Sequence, residues 1–139
     1  MTGRAVQFQV DGKPVPQGSM RAFLVKGRPV ITSSNPNLKE WRNIVAFQAQ
    51  GASDGRPLEG PVGVTAAFRL PRPKSRPKKD RYPDRRPDLD KLVRALLDGM
   101  TGPVFADDSQ VCMIEVRKSY ALDESAGVVV RVWELADSE

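Results

Sequence analysis

A proline-broken basic segment, residues 69–87, sets the strongest limit on how this chain can fold. It contains five prolines, which remove backbone donors and fix φ, so it cannot form the interior of a helix or a central strand. We therefore expect an extended, mobile loop at these residues. The prolines are Pro71, Pro73, Pro77, Pro83 and Pro87.

The same segment carries the positive charge of the chain. It holds nine Lys or Arg residues and two Asp residues, a local net charge of +7, whereas the whole chain carries +5. The basicity is therefore a local feature. Cations spaced along an extended chain suit DNA, because each neutralised phosphate releases a condensed counterion. A solvated, solubilising linker is the alternative. The predicted DNA contacts here are Arg72, Lys74, Arg76, Lys78, Lys79, Arg81, Arg85 and Arg86.

An amphipathic helix is predicted for residues 88–100, directly after the basic segment. Apolar residues recur at helical spacing and form one continuous stripe. Pro87 precedes this stripe, and Gly102 and Pro103 follow it, which marks the two ends of the helix. The stripe consists of Leu89, Leu92, Val93, Leu96, Leu97 and Met100. A polar row at spacing i, i+4, i+8 lies off the stripe and consists of Asp90, Arg94 and Asp98.

Two pairs of aspartates flank the helix. Asp88 and Asp90 open it, and Asp107 and Asp108 follow it after a Gly-Pro turn. An N-cap and a helix-dipole role would explain the first pair, at about 1 kcal/mol or less each. We expect the chain to return the second pair toward the first, and crowded carboxylates repel one another unless a cation lies between them. Clusters of hard oxygen ligands favour Mg²⁺ or Mn²⁺. Beside the basic segment, this pattern predicts phosphodiester cleavage.

The motif order supports the same chemistry. From residue 85 the chain contains R-R-P-D-L-D-K-L-x-R-x-x-x-D, a short spacer, D-D-S-Q-V and then Lys118. This order resembles the RusA family of Holliday junction resolvases, closely over residues 69–120 and loosely toward the N-terminus. The resemblance implies a Mg²⁺-dependent homodimer that cuts four-way DNA junctions.

The resemblance also implies roles for individual residues. It places metal-binding aspartates at Asp88, Asp90 and Asp108, with Asp107 adjacent. It places a functional lysine one helical turn after the second aspartate, where this chain has Arg94. Arg cannot act as a proton carrier, so whether Arg94 or the neighbouring Lys91 fills that role stays open. Outside the basic segment, Lys118 and Arg21 are further candidate DNA contacts.

Composition excludes several other chemistries. The 139 residues are expected to form one domain, and the chain contains no His, which removes imidazole bases, His-ligated zinc and the Ser-His-Asp triad. Cys112 is the only cysteine and is expected in the core, because it lies in an apolar run. We find no signal peptide and no membrane-spanning run, so a cytoplasmic location is expected, with host, phage or prophage origin left open.

The remaining elements predict an α+β fold. A strand is expected where Val6, Phe8 and Val10 alternate with polar residues, and a hairpin around Lys26-Gly27-Arg28. A second helix is expected from an Asn35-Pro36 N-cap to a point before Gly51, with its apolar face at Leu38, Trp41, Ile44, Val45, Phe47 and Gln48. Three further strands are expected at residues 61–70, 111–120 and 128–135, with a loop around Asp123-Glu124-Ser125. These elements predict a mixed, mostly antiparallel sheet with two helices packed on it.

The sequence thus favours a Mg²⁺-dependent endodeoxyribonuclease that resolves four-way junctions in recombination and repair by paired nicks. A non-catalytic nucleic-acid-binding module is a second hypothesis, in which the aspartates cap a helix and pair with nearby arginines. A nuclease of the same chemistry acting on other branched DNA or on RNA is a third.

Overall fold

Alternating burial along the first strand defines the buried face of the sheet. The structure is a computed structural model that describes residues 3–18, 20–33, 37–122 and 125–136. Its strands are β1 (Ala5–Asp11), β2 (Met20–Val25), β3 (Arg28–Ser33), β4 (Val62–Leu70), β5 (Val111–Tyr120) and β6 (Gly127–Glu134). Its helices are α1 (Leu38–Ser53), α2 (Leu89–Met100) and a short 3-10 helix, Asp108–Gln110. In β1, Val6, Phe8 and Val10 are buried and the residues between them are exposed, as predicted.

Four of the strands form one mixed sheet in the order β1, β6, β4, β5. The pairs β1/β6 and β6/β4 are antiparallel, and β4/β5 is parallel. Helices α1 and α2 pack against each other, α1 also against β1 and α2 against β5. The predicted class, an α+β fold with a mixed, mostly antiparallel sheet and two helices, is confirmed.

The hairpin is also confirmed, as a separate two-stranded sheet. Strands β2 and β3 pair antiparallel, with Val25 opposite Arg28. Lys26 and Gly27 adopt φ angles of 51° and 78°, the positive values that a tight two-residue hairpin turn needs.

Parallel pairing of β4 with β5 determines the direction of α2. The register places Val62 opposite Val111 and Leu70 opposite Tyr120, so both strands start at one edge and end at the other. Parallel neighbours require a crossover, here the basic segment and α2. Helix α2 therefore begins near the ends of β4 and β5 and runs back toward their starts.

Helix α2 buries the face that its apolar stripe predicts. Leu92, Leu96 and Met100 are fully buried, and Leu89, Val93 and Leu97 pack against the core while partly exposed. Gly99 is buried as well, and a Cβ at this position would lie 2.8 Å from Cγ1 of Val45 on α1. The absence of a side chain at Gly99 thus permits the close approach of the two helices.

Helix α1 departs from the prediction in its end and in its buried face. It continues through Gly51 to Ser53, because the reversal comes at Asp54 and Gly55, which have φ angles of 55° and 70°. The predicted Asn35-Pro36 cap lies outside the described residues, and Asn37 occupies the N-cap position. The buried residues are Leu38, Trp41, Val45, Ala49 and Ser53. Ile44, Phe47 and Gln48, predicted on the apolar face, are exposed, because the buried face is narrower than predicted and these residues lie at its border or beyond it.

The burial of Cys112 was predicted wrongly. Its side chain is exposed, as are those of Met113, Ile114 and Glu115. Strand β5 is an edge strand, so among the described residues it pairs only with β4. Strand β6 lies one residue earlier than predicted, and Asp123 and Glu124 of the preceding loop lie outside the described residues. None of the described helices is long and apolar enough to span a membrane.

Replacing Gly99 by Ala is expected to destabilise the fold by about 1–3 kcal/mol, because the added methyl group would overlap Val45 and force the two helices apart. Urea unfolding of both proteins measures this difference. Gly51→Ala is the matched control, since a Cβ there meets nothing within 4 Å. This control should stabilise by about 0.5–1 kcal/mol through helix propensity alone. Equal stability of Gly99→Ala and wild type would contradict the packing described above.

Candidate active site and nucleic-acid interface

Asp88 lies at the N-cap position of α2 without using its side chain as a cap. Its backbone carbonyl oxygen accepts a hydrogen bond from the Leu92 amide at 3.1 Å, whereas its carboxylate makes no capping bond. The side chain is exposed, and its Oδ2 lies 3.7 Å from Nζ of Lys91. Asp90, in the first turn, is exposed too. The capping explanation therefore accounts poorly for Asp88, and both carboxylates face solvent beside a lysine.

The residues of the polar row on α2 differ in their contacts. Asp98 pairs with Arg42 of α1 at 3.6 Å, a half-exposed ion pair that contributes little to stability. Arg94 is exposed and lies one turn beyond Asp90. Lys91 is the cation that contacts Asp88, so its position suits a role beside that carboxylate, while the choice between Arg94 and Lys91 stays open.

Lys118 anchors the chain immediately before Asp88. Its ammonium group donates to the carbonyl oxygens of Arg85 and Pro87, each at 2.9 Å. An ammonium has three donors, so one remains for a phosphate. The structure thus gives Lys118 a positioning contact that the sequence does not indicate, and its predicted DNA contact stays a prediction.

Tyr120 anchors the start and the middle of the basic segment. The guanidinium carbon of Arg72 lies 4.8 Å from the centroid of the buried Tyr120 ring, and that of Arg76 lies 5.8 Å away. The Tyr120 amide donates to the carbonyl oxygen of Arg81 at 2.8 Å. Arg76 also pairs with Asp84 at 2.9 Å. Arg72 and Arg76, predicted as DNA contacts, thus already have partners within the chain.

Arg69 and Leu70, the first two residues of the basic segment, end β4; from Pro71 onward the segment forms neither helix nor strand, as predicted, but it is not fully extended. The Arg76 amide donates to the Pro73 carbonyl oxygen at 3.0 Å, and the Asp80 amide donates to the Pro77 carbonyl oxygen at 3.1 Å. These two hydrogen bonds close two successive turns. Its predicted mobility stays a prediction. The cations that remain exposed are Lys74, Lys78, Lys79, Arg81, Arg85 and Arg86. Arg21 lies on β2, and its side chain lies outside the part of the chain that the structure describes.

Asp107 and Asp108 occupy different positions in the segment that precedes β5. Asp107 caps the 3-10 helix, because its Oδ1 accepts from the Ser109 amide at 2.9 Å. This hydrogen bond from the Ser109 backbone lowers the pKa of Asp107, with smaller effects from the side chains of Ser109 and Asp108. Asp108 is exposed.

Gln110 completes a capping box around Asp107. Its Oε1 accepts from the amides of Ala106 and Asp107 at 3.0 and 3.1 Å, and its Nε2 donates to the carbonyl oxygens of Leu58 and Gly60. The motif D-x-x-Q is a known capping signature, so the sequence did contain this signal. The box fixes Asp107 and Asp108 at the start of β5.

The expected return of this pair toward Asp88 and Asp90 was wrong. Helix α2 spans 12 residues, about 18 Å, and the connection after it turns back on itself instead of running along the helix. The Gly102 amide donates to the Phe105 carbonyl at 2.7 Å, and Val104 and Phe105 are fully buried. Over the described residues, no group of three or more His, Cys, Asp or Glu side chains is placed to hold a metal ion. One chain therefore keeps the two aspartate pairs at opposite ends of α2.

Neutralising Lys78, Lys79, Arg85 and Arg86 together is expected to flatten the dependence of log K on log salt by up to about 4 units, roughly 0.9 for each lost phosphate contact. All four side chains are exposed. Fluorescence anisotropy with labelled junction DNA between 50 and 300 mM salt, roughly the range in which counterion release dominates, measures the slope.

The matched control neutralises Arg56 and Arg131, which are exposed cations outside the basic segment. For each charge removed, this control should change the slope of log K against log salt much less than the fourfold variant does. If the fourfold variant keeps the wild-type slope, the segment is a linker and not a DNA contact.

Two comparisons with known proteins bear on this arrangement. Residues 11–133 match the family model described as "Endodeoxyribonuclease RusA". A protein of Bacillus subtilis (strain 168), described as "Uncharacterized protein YqaN", is 29% identical over 136 residues, which cover 91% of this chain and 95% of that protein. The match to the family model spans both aspartate pairs and the basic segment.

Proposed function

Because this chain belongs to the RusA family of endodeoxyribonucleases, we propose that it is a Mg²⁺-dependent enzyme that resolves four-way DNA junctions by paired nicks. Family membership indicates an endodeoxyribonuclease that binds branched DNA. Metal dependence, the homodimer and a role in recombination and repair inside the cell are our proposals. The observation that supports them best is the set of exposed carboxylates beside an exposed basic segment.

The metal site of the proposed enzyme is composite. Asp88 and Asp90 of one protomer would meet Asp107 and Asp108 of the partner subunit, since one chain keeps the two pairs at opposite ends of α2, a helix about 18 Å long. The donor set fits the ion: carboxylate oxygens are the ligands that Mg²⁺ prefers, and the carboxylate of Asp88 makes no capping bond that would compete. Asp90 and Asp108 are likewise exposed.

Edge strand β5 supplies the interface for such a dimer. A long edge strand offers unpaired backbone groups to a second strand, and here both faces of β5 carry an exposed apolar side chain, Met113 at 54% and Ile114 at 46% exposure. A two-fold axis requires the copies to pair antiparallel. With the axis at Met113, Lys118 would lie on the same side of the axis as the partner subunit's 3-10 helix, which carries Asp108 and directly precedes β5.

This pairing would assemble the two halves of the site. Lys118 binds the carbonyl oxygen of Pro87, the residue before Asp88. The start of α2 and the start of the partner's β5 would thus lie at the same level along the joined sheets. Two equivalent sites result, one for each nick.

The chain's own residues would then share the work of cleavage. Asp88, Asp90 and the partner subunit's Asp108 would hold the ion, and Asp107 keeps the 3-10 helix in place through its bond to Ser109. The bound ion would supply an activated water and stabilise charge developing on the scissile phosphate. Lys91, 3.7 Å from Asp88, would neutralise the same phosphate, with Arg94 the alternative. The exposed cations of the basic segment would hold the junction arms.

Subunit mixing tests the reaction and the composite site together. Asp88→Asn and Asp108→Asn should each abolish cleavage of a synthetic four-way junction in Mg²⁺ while junction binding persists. Mixed heterodimers of these two variants should regain one intact site, because the wild-type Asp88 of one protomer meets the wild-type Asp108 of the other. Activity should recover to roughly a quarter of wild type, from half the dimers with half the sites.

Asp88→Asn mixed with Asp90→Asn is the control. Every site in that heterodimer carries one damaged carboxylate, so no activity should return. If each single variant is inactive and their mixture stays inactive as well, the site lies within one chain. If wild type shows no Mg²⁺-dependent nicking of the junction, the chain is a binding module.

Cysteine crosslinking tests the position of the two-fold axis. In a Cys112→Ala background, Met113→Cys should form a covalent dimer with a short bifunctional maleimide, because residues at the axis face each other at about 5 Å between Cβ atoms. Arg117→Cys, also on β5 and exposed, should not crosslink, since its counterpart in the copy lies several residues away. Denaturing gels report both. Efficient crosslinking through position 117 and not through position 113 would show that the two-fold axis is not at Met113.

A further inference from the structure

An open cavity of about 620 Å³ lies directly beside Asp88. Its walls come from the loop after β1, the first half of α1 and the start of α2. The Gln17 amide of that loop donates to the carbonyl oxygen of Lys91 at 2.9 Å, which fixes the loop against the first turn of α2. The position of the cavity is therefore tied to that of Asp88.

The cavity has an apolar wall with two unpartnered polar atoms buried behind it. Val15, Trp41 and Ile44 contribute apolar surface, and Trp41 is only 3% exposed. The indole N–H of Trp41 and Oε1 of Gln17 are both buried and make no hydrogen bond with any described residue. A buried indole N–H usually has a partner, and leaving one unpaired costs stability. Because these two atoms have almost no accessible surface, they lie behind the wall, and a flat ring in the cavity would meet its apolar surface.

Cations border the same opening. Lys13, Arg86 and Lys91 contribute to its walls, and Lys13 and Arg86 are exposed. Phosphate groups on either side of a bound ring would lie within reach of these cations. Apolar surface, three cations and the carboxylates of Asp11, Glu40 and Asp88 thus share one opening. The apolar wall suits a base, and the cations suit the phosphates on either side of it.

We propose that this cavity receives one unstacked nucleotide of the DNA substrate, next to the phosphodiester that is cut. The inference rests on the proposed function and adds a base-binding site to it. A base inside a duplex must leave its stack to enter such a cavity, and this costs least where the DNA is already distorted, as at a branch point. The cavity therefore gives the enzyme a means of favouring junctions over linear duplex.

Filling the cavity provides the test. Ile44→Trp places a large side chain at its edge, at a position already 40% exposed, so the fold should tolerate it. We expect junction affinity to stay within about twofold while the incision rate falls roughly tenfold, the effect of losing one base contact. Phe47→Trp is the matched control, because Phe47 lies on the same helix, is 76% exposed and does not line this cavity. It should cut at the wild-type rate.

The nucleotide itself supplies two further readouts. In junction DNA with 2-aminopurine at one position beside the incision, and with Ca²⁺ in place of Mg²⁺, the 2-aminopurine fluorescence should increase when wild type or Phe47→Trp binds. It should not increase when Ile44→Trp binds. An abasic site at that position should equalise the incision rates of wild type and Ile44→Trp, because no base then needs the cavity. Thermal melts verify that both variants are folded.

The outcomes separate this inference from the proposed function. If wild type cuts the junction but Ile44→Trp cuts equally well, or no position brightens, the base-binding site is wrong and the nuclease assignment stands. If wild type does not cut, the proposed function fails, and this inference fails with it. Strong inhibition of cleavage by a free deoxynucleoside monophosphate, relieved in Ile44→Trp, would assign the cavity to a free nucleotide and overturn the proposal.

Discussion

Parallel pairing between β4 and β5 is the constraint on which the arrangement of this molecule depends. Two parallel neighbours cannot be joined by a hairpin, so the chain must cross from the end of one strand to the start of the next. Residues 71–110 make that crossing, with the basic segment first and α2 second. Since the helix runs back along the strands, one aspartate pair is left at each end of it. The topology of the sheet therefore explains why a lone chain does not gather the carboxylates.

The same crossing explains why the basic segment is anchored. It leaves β4 at Leu70 and must reach the start of α2 beside Lys118, so it packs against the end of β5 on the way. Tyr120 binds it through a ring face and a backbone amide, and Lys118 holds its last turn through two carbonyl oxygens. Arginines near the anchor are used internally, and cations farther along face solvent. A segment fixed at both ends loses less conformational entropy when it binds DNA than a free tail would.

Much of this fold follows from the sequence, because local patterns determine it. The stripe of α2, the alternation in β1 and the full extent of β5 depend on residues close together in the chain, and the structure confirms them. The errors concern relations between distant elements. Burial of Cys112 depends on β5 being an edge strand, and the exposed face of Phe47 depends on where β1 and α2 cover α1. No local pattern contains that information.

The positions of the aspartates show the same division between local and distant information. Their identity follows from a motif, but the distance between the pairs follows from the crossover, and local spacing wrongly suggested that they meet. Asp107 illustrates a further point, since the D-x-x-Q capping signature was present in the sequence and the pair was still interpreted only as metal ligands. One carboxylate can serve a local cap while its neighbour remains free.

Separation of the two pairs also changes how electrostatics acts in the chain. With a helix about 18 Å long between them, more than the Debye length of about 8 Å in physiological salt, the pairs scarcely repel one another. A lone chain therefore has no strong like-charge repulsion between them to relieve. In the proposed dimer that repulsion arises only when the two subunits meet, and a divalent cation between the pairs offsets it. Metal binding and subunit association are then thermodynamically linked, because each ion bound to the composite site favours the dimer by mass action. The carboxylates would thus oppose assembly without metal and favour it with metal, which ties cleavage competence to the paired state that two symmetric nicks require.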